Sequence, residues 1–158
     1  NTEISNCDSV SGNEFTIITW IKPSGTSGII CGAAGGIGSS TTFAKYMNGS
    51  TFNIRIKGTS SNNTVKSSLS NSLYHMVSYT WDGTTGLGYY NNEPPVEIGI
   101  GSVDNQGYNF GLADPTNGAL TNYPRFSGNI AISLVYNRAL SSTEILQNYN
   151  AQKSRFGL

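Results

Sequence analysis

Short runs in which apolar and polar residues alternate recur along the chain, separated by clusters of Gly, Ser, Asn and Pro. A period of two is what a strand buried on one face requires. Strands are predicted near 15–22, 28–32, 42–47, 51–58, 74–81, 86–91, 96–100, 107–112 and 126–137. Turns fall between them at Pro23-Ser-Gly25, Ala34-Gly-Gly36, Asn48-Gly49, Ser60-Ser-Asn-Asn63, Asp82-Gly83 and Asn91-Asn92. Asn-Gly and Asp-Gly pairs suit tight hairpins because both residue types tolerate positive φ. Near the end of the chain the period changes. Ile130, Ile132 and Leu134 alternate with Ala131, Ser133 and Val135, and Leu140-Ser-Ser-Thr-Glu-Ile145 then opens a helix. Ser141 is placed to cap the amide of Glu144, Glu144 to reach back to Ser141, and Leu140 to staple onto Ile145. Ile145, Leu146 and Tyr149 are predicted to share the buried face of that helix. No repeat, heptad or low-complexity linker interrupts the pattern. The expectation is an all-β chain, one antiparallel β-sandwich over residues 1–158 with one short C-terminal helix.

Composition narrows the setting. Charged residues are 11% of the 158, against about 25% in ordinary soluble domains. Nine basic and nine acidic residues cancel. Without a basic field, nucleic-acid binding is not expected. The uncharged polar surface of Ser, Thr, Asn and Gly suits an extracellular, secreted or virion protein. No apolar run approaches the roughly 20 residues of a membrane helix, so membrane insertion is not expected. Cys7 and Cys31 are the two cysteines. A single pair fixes no framework, and a disulfide and two buried thiols both remain open.

Three segments carry a resemblance in the same order along the chain. Phe15-Thr-Ile-Ile-Thr-Trp-Ile-Lys-Pro23 resembles an early strand in which a Phe-Thr pair leads to a core Trp. Tyr74-His-Met-Val-Ser-Tyr-Thr-Trp-Asp-Gly83 through Leu87-Gly-Tyr-Tyr-Asn-Asn92 resembles a central hairpin. Gly128-Asn-Ile130, the following strand, Tyr136-Asn-Arg-Ala-Leu-Ser141 and Glu144-Ile145 resemble a closing segment. The family is the laminin G-like domains, within the concanavalin A-like lectin/glucanase superfamily. It implies a jelly-roll sandwich over roughly residues 3 to 151. The tail Asn148-Tyr-Asn-Ala-Gln-Lys-Ser-Arg-Phe-Gly-Leu158 is similar to the ends of such domains in virion proteins of tailed bacteriophages. Domains of this family usually begin with a strand bearing a Phe-Asp-Gly-like turn, whereas this chain starts on Asn1-Thr-Glu-Ile-Ser5, which resembles the strand after it. The expectation is therefore a module of a longer polypeptide.

The candidate chemistry is sparse. His75 has no second His or Cys-x-x-Cys to build a zinc or His-dependent catalytic site with, and reads as structural. Glycosidases of this fold place Glu-x-Asp-x-Glu on one strand. The nearest match is Glu93-Pro-Pro-Val-Glu97, where Pro95 stands in place of the Asp and two prolines spoil a central strand. Gly32-Ala-Ala-Gly-Gly-Ile-Gly-Ser39 lacks the Gly-Lys-Ser/Thr ending of a phosphate loop. The loop after Phe110-Gly-Leu112 holds oxygen donors that suit calcium, with Asp114 and Asn117 as the candidate ligands, although Asp-Pro and Asn-Gly are also ordinary turn chemistry. Asp82 is read as holding its own turn. A sugar site needs an aromatic ring beside amide groups, and three pairs supply this: Tyr46 with Asn48, Tyr108 with Asn109, and Tyr123 with Asn122. Trp20 and Trp81 read as core. Taken with the resemblance, these features lead to the expectation of a non-catalytic module of a virion surface protein: tail fibre, baseplate or capsid decoration. It would pack with virion subunits, as a homo-oligomer, and hold a host cell-surface glycan in rim loops. A secreted adhesion or polysaccharide-binding module and a purely structural packing domain are the alternatives.

Overall fold

The computed structural model describes residues 2–4, 14–34, 41–56, 63–98, 110–113 and 124–158. Eleven strands are described: β1 Thr2–Ile4, β2 Phe15–Pro23, β3 Gly28–Ala34, β4 Thr41–Asn48, β5 Thr51–Ile56, β6 Asn63–Lys66, β7 His75–Trp81, β8 Gly86–Tyr90, β9 Val96–Ile98, β10 Phe110–Leu112 and β11 Gly128–Tyr136. They pair antiparallel in two sheets, ordered β1-β10-β3-β4-β5-β6 and β11-β2-β7-β8-β9. Helix α1, Ser142–Gln152, runs into a 3-10 turn, Lys153–Phe156. The predicted sandwich with one C-terminal helix is the architecture observed. β6 begins at Asn63, the last residue of the predicted turn, whose residues 60–62 lie outside the described residues; its small polar residues around Val65 hide it from a hydrophobic pattern.

Two hydrophobic clusters set the layers. Between the sheets, Phe15, Ile17 and Ile21 of β2 meet Phe43 and Met47 of β4, Phe52, Ile54 and Ile56 of β5, and Val77, Tyr79 and Trp81 of β7. Gly86 and Gly88 of β8 leave room for this packing: a Cβ at Gly86 would lie 2.5 Å from Tyr79 Oη, and one at Gly88 2.5 Å from Val65 Cγ2. On the other side of the five-stranded sheet, Ile18 and Trp20 of β2, Met76 and Tyr89 join Leu140, Ile145 and Tyr149. Trp20 stacks on Tyr149 with centroids 5.8 Å apart and on Phe156 at 4.3 Å. Both Trp20 and Trp81 are core residues, as their apolar strands predict.

β11 corrects the simple alternation. Its pairing with β2 slips between Ile130 and Ile132, a bulge that turns the strand over. Ile130 and Val135 pack on the inter-sheet core, whereas Ile132, Leu134 and Tyr136 pack on the cluster beneath the helix. The helix start follows the expected capping box: Ser141 Oγ accepts the Glu144 amide at 3.3 Å and the Ser141 amide donates to Glu144 Oε2 at 2.9 Å. Arg138 binds Glu144 through both guanidinium ends, at 3.1 and 2.6 Å. That pairing, with the Ser141 bonds, brings the Glu144 carboxyl down to about 2. Thr16 Oγ1 fastens this corner to the sheet, donating to Arg138 O at 2.9 Å and accepting the Leu140 amide at 2.8 Å. Ile145 and Tyr149 are buried, but Leu146 is 43% exposed, so the predicted helix face is narrower by one residue.

The core also encloses Lys45, which has no exposed surface. Its register on β4 sets it between Phe43 and Met47, opposite Cys31 of β3 and Ile54 of β5. Nζ donates to Thr19 Oγ1 at 2.8 Å, Val77 O at 3.2 Å and Ile17 O at 3.4 Å, all on the facing sheet. Cys31 is a free, buried thiol. Cys7 lies outside the described residues. Burial lowers the pKa of the Lys45 ammonium below 10.5 and raises that of the Cys31 thiol above 9.0.

Two outcomes are expected. Phe156→Ala removes one of the rings stacked on Trp20 and should lower the unfolding free energy in urea by roughly 1–3 kcal/mol. An unchanged midpoint would mean that the 3-10 turn does not hold the helix layer. For Lys45, the unfolded chain binds the proton that the folded chain disfavours, so its contribution to stability rises with pH from the lowered folded value toward 10.5. Cys31 acts in the opposite direction only beyond pH 9.0. The unfolding free energy should therefore climb as pH rises through the lowered folded value of Lys45 toward 9.0, and Lys45→Met should flatten that climb while stabilising the protein by about 1–3 kcal/mol near neutrality.

Candidate functional site

The reversal from β8 to β9 builds one wall of a cleft. Asn91 takes φ 49°, in the left-handed region that Asn tolerates. Its Oδ1 accepts the Met76 amide at 2.8 Å, and its own amide donates to Met76 O at 2.8 Å. The turn is thus bolted to β7 by both backbone and side chain. Pro94 and Pro95 follow, exposed and with fixed φ, and hold the wall stiff. The opposite wall is the first turn of α1, with Ser142, Ile145 and Leu146. Tyr89 forms the floor and places its hydroxyl 3.2 Å from Ser142 Oγ. The enclosed volume is about 210 Å³.

This cleft pairs apolar surfaces, from Pro94, Pro95 and Leu146, with an amide at Asn92, a hydroxyl at Ser142 and a carboxylate at Glu93. Such a mixture suits a small ligand that has both a hydrocarbon face and hydroxyl groups. Among the described residues no Lys, Arg or His contributes to the lining. Lys66 approaches Glu93 at 2.5 Å, and its Nζ lies 4.9 Å from the centre of the Tyr90 ring. Glu97 is on β9, opposite Leu87 and beyond the two prolines. Glu93 and Glu97 are both exposed, and no third carboxylate stands between them.

His75 lies beneath this turn and is 3% exposed. Nε2 is 2.8 Å from Ser70 O, and Nδ1 is 2.8 Å from Tyr90 Oη. A carbonyl can only accept, so Nε2 carries the proton, and Nδ1 accepts from the tyrosine hydroxyl. Burial lowers the His75 pKa, more than the Ser70 bond raises it. Both ring nitrogens are thereby occupied in the neutral form, as expected of a structural histidine. Asp82 likewise serves its own turn. Its Oδ1 accepts the Thr84 and Thr85 amides at 2.8 and 2.6 Å, and these bonds hold the carboxyl below 3.8.

The sequence-predicted site residues fall into two groups. Tyr108, Asn109, Asn122 and Tyr123, and the proposed calcium ligands Asp114 and Asn117, lie outside the described residues. Asn48 is exposed at the end of β4, next to the turn glycine Gly49. Tyr46 is corrected. It lies opposite Ile29 and Asn53 within the sheet and has no exposed surface, so its ring offers no face to a sugar beside Asn48. Among the described residues no group of three or more His, Cys, Asp or Glu could hold a metal. The cleft escaped sequence reading because its walls come from residues 91–95 and 142–146. The local signal was Pro94-Pro95, one residue beyond the Asn91-Asn92 turn.

Comparison with known proteins bears on the family and the fold. The laminin G family model Laminin_G_3, of the concanavalin A-like lectin/glucanases superfamily, matches residues 1–146. No curated protein sequence matches the chain. The fold is similar to that of the CBM40 of the Ruminococcus gnavus IT-sialidase bound to alpha2,3 sialyllactose, with TM-score 0.72 and 17% identity over 94% of this chain and 95% of that one. It is also similar to Trypanosoma rangeli sialidase in complex with sialic acid, with TM-score 0.65 and 18% identity over 89% of this chain but only 23% of that one. A SAP-like pentraxin from Limulus polyphemus aligns with TM-score 0.62 and 16% identity over 87% of this chain and 70% of that one.

Protonating His75 ends the donation from Tyr90 to Nδ1 and requires the tyrosine hydroxyl to turn and accept instead. With its folded pKa below 6.5, His75 stabilises the fold fully above that value, and this is lost as pH falls from 6.5 toward the lowered one. Urea titrations between about pH 5.5 and 7 should show this decline, and His75→Phe should remove it. A decline of equal size in the variant would assign the effect to other groups.

Proposed function

The chain belongs to the concanavalin A-like lectin/glucanases superfamily, and from that premise we propose that it is a non-catalytic carbohydrate-binding module, carried on a virion surface as part of a tail fibre, baseplate or capsid decoration. The observation that carries the binding role is the cleft between the Pro94-Pro95 wall and the start of α1, with ring carbons, an amide, a hydroxyl and a carboxylate within about 210 Å³. A saccharide presents an apolar ring face and a rim of hydroxyls, which is the complement of that lining. The likeness to a CBM40 bound to a sialylated sugar supports the same class of ligand. The non-catalytic reading rests on Glu93 and Glu97. Both are exposed, two prolines separate them, and no central carboxylate stands between them to drive their proton affinities apart. The virion setting rests on the low charge of the chain and on the phage-like tail sequence, which here forms the end of α1 and the turn that stacks on Trp20.

The lining also favours a neutral glycan. A sialic acid carboxylate would meet Glu93, and the neighbouring Lys66 is already paired with that carboxylate at 2.5 Å, so no described lining residue offers it a cation. The rim loop with Tyr108, Asn109, Asn122 and Tyr123, and a calcium held by Asp114 and Asn117, constitute a second proposed location for the same activity. A packing role in an oligomeric particle is the other reading, supported by β11. It is the outermost described strand of its sheet, and none of its nine residues is charged. Uncharged edges of that length are normally covered.

Binding to a panel of host-type neutral and sialylated polysaccharides, with and without EDTA, separates these readings. Saturable, EDTA-insensitive binding of neutral glycans is expected, weakened at least about tenfold by Leu146→Glu or Asn92→Ala and unaffected by Tyr123→Ala. Loss with Tyr123→Ala or with EDTA would move the site to the rim loop. No binding across the panel would leave the packing role.

A further inference from the structure

The buried Lys45–Cys31 pair serves neither the cleft nor the turns that shape it. The two residues are cross-strand partners on β3 and β4, both fully buried. As directly opposed residues on neighbouring strands, they put their side chains on the same face of the sheet. Nζ is held in place by Thr19 Oγ1 at 2.8 Å and by the Val77 and Ile17 carbonyls. Contacts this fixed turn an encounter between two side chains into a local, effectively unimolecular event. Both side chains have no exposed surface, which shields an electrophilic sulfur from bulk water.

We propose that Cys31 and Lys45 form an oxidative modification site at which peroxide joins Sγ to Nζ through a sulfenamide bond, linking β3 covalently to β4. In the first step hydrogen peroxide transfers one oxygen to the thiol: the S–H becomes S–OH, sulfur is oxidised, the O–O bond breaks and one water leaves. In the second step the lone pair of the Lys45 amine attacks sulfur, the S–O bond breaks, and the departing hydroxide takes one proton from nitrogen to leave as a second water. In sum, one thiol, one amine and one hydrogen peroxide give one S–N bond and two waters. Peroxide is small enough to reach a packed interior during local opening, whereas a larger thiol reductant would reach the product only slowly. Burial lowers the Lys45 pKa and so enlarges its neutral fraction, in which the amine gives up one of its three donated bonds and frees the lone pair that attacks sulfur. It also raises the thiol pKa, which makes the first step the slow one.

The test treats the folded Cys7→Ser protein with hydrogen peroxide, so that no disulfide can imitate the product. Intact mass should fall by about 2 Da. Digestion should give a peptide joined through Cys31 and Lys45, and dithiothreitol acting on the unfolded product should separate it. Lys45→Met should instead gain about 16 or 32 Da on Cys31, and peroxide added in guanidinium should give no joined peptide. The guanidinium arm keeps the test valid if Lys45→Met does not fold. A gain of about 16 or 32 Da on Cys31 in the folded Cys7→Ser protein with Lys45 unjoined, or no mass change at all, would overturn the proposal.

Discussion

The strand β2 is buried on both faces, and the rest of the molecule follows from that constraint. Phe15, Ile17 and Ile21 point into the sandwich while Ile18 and Trp20 point the other way, all with no exposed surface. A two-sheet sandwich satisfies only the first set. The second set needs another layer, and α1 with its 3-10 turn supplies it. The strand beside it is bound by the same demand. β11 meets two apolar environments, and the bulge at Ala131 lets its first and last parts divide their side chains between the layers. Near-continuous apolar character in Phe15-Thr-Ile-Ile-Thr-Trp-Ile21 therefore reflects burial from two sides.

Where the sequence could be read, local chemistry made it legible. The helix start was written in Ser141, Glu144, Leu140 and Ile145, residues whose interactions span no more than five positions. The strands with strong β-branched or aromatic content were found within one or two residues. β6 was not, because Thr64, Val65 and Lys66 gain their strand character from pairing with β5. Lys45 left a trace that was passed over. Its place in Phe43-Ala-Lys-Tyr-Met47 is on the inward period of an alternating strand, which predicts a buried amine. Tyr46 was misplaced for the complementary reason: a tyrosine near a turn reads as exposed when its cover comes from elsewhere in the fold.

The cleft shows why a binding surface on this scaffold is harder to read than the scaffold. Its walls meet only because α1 lies across the five-stranded sheet and the β8–β9 turn is fastened to Met76. The residues involved are ordinary in isolation: two prolines, two asparagines, a serine and a leucine. Their meaning comes from juxtaposition, and a sandwich with widely separated sequence neighbours creates many such meetings. The shared fold, seen at 17% identity over most of a CBM40, shows how loosely the layers constrain surface chemistry.

The corner at Thr16 has a consequence for how the protein is made. Thr16 Oγ1 bonds to residues 122 and 124 positions further along the chain, and Trp20, four residues later, stacks on Phe156. β2 thus leaves the ribosome well before the turn that seals its outer surface. Such long-range closure makes folding slow relative to local assembly and leaves an apolar strand open throughout synthesis. The sparse charge of the chain provides little repulsion to protect that intermediate. Fast completion of the C-terminal helix, nucleated by its own capping box, shortens the exposed interval.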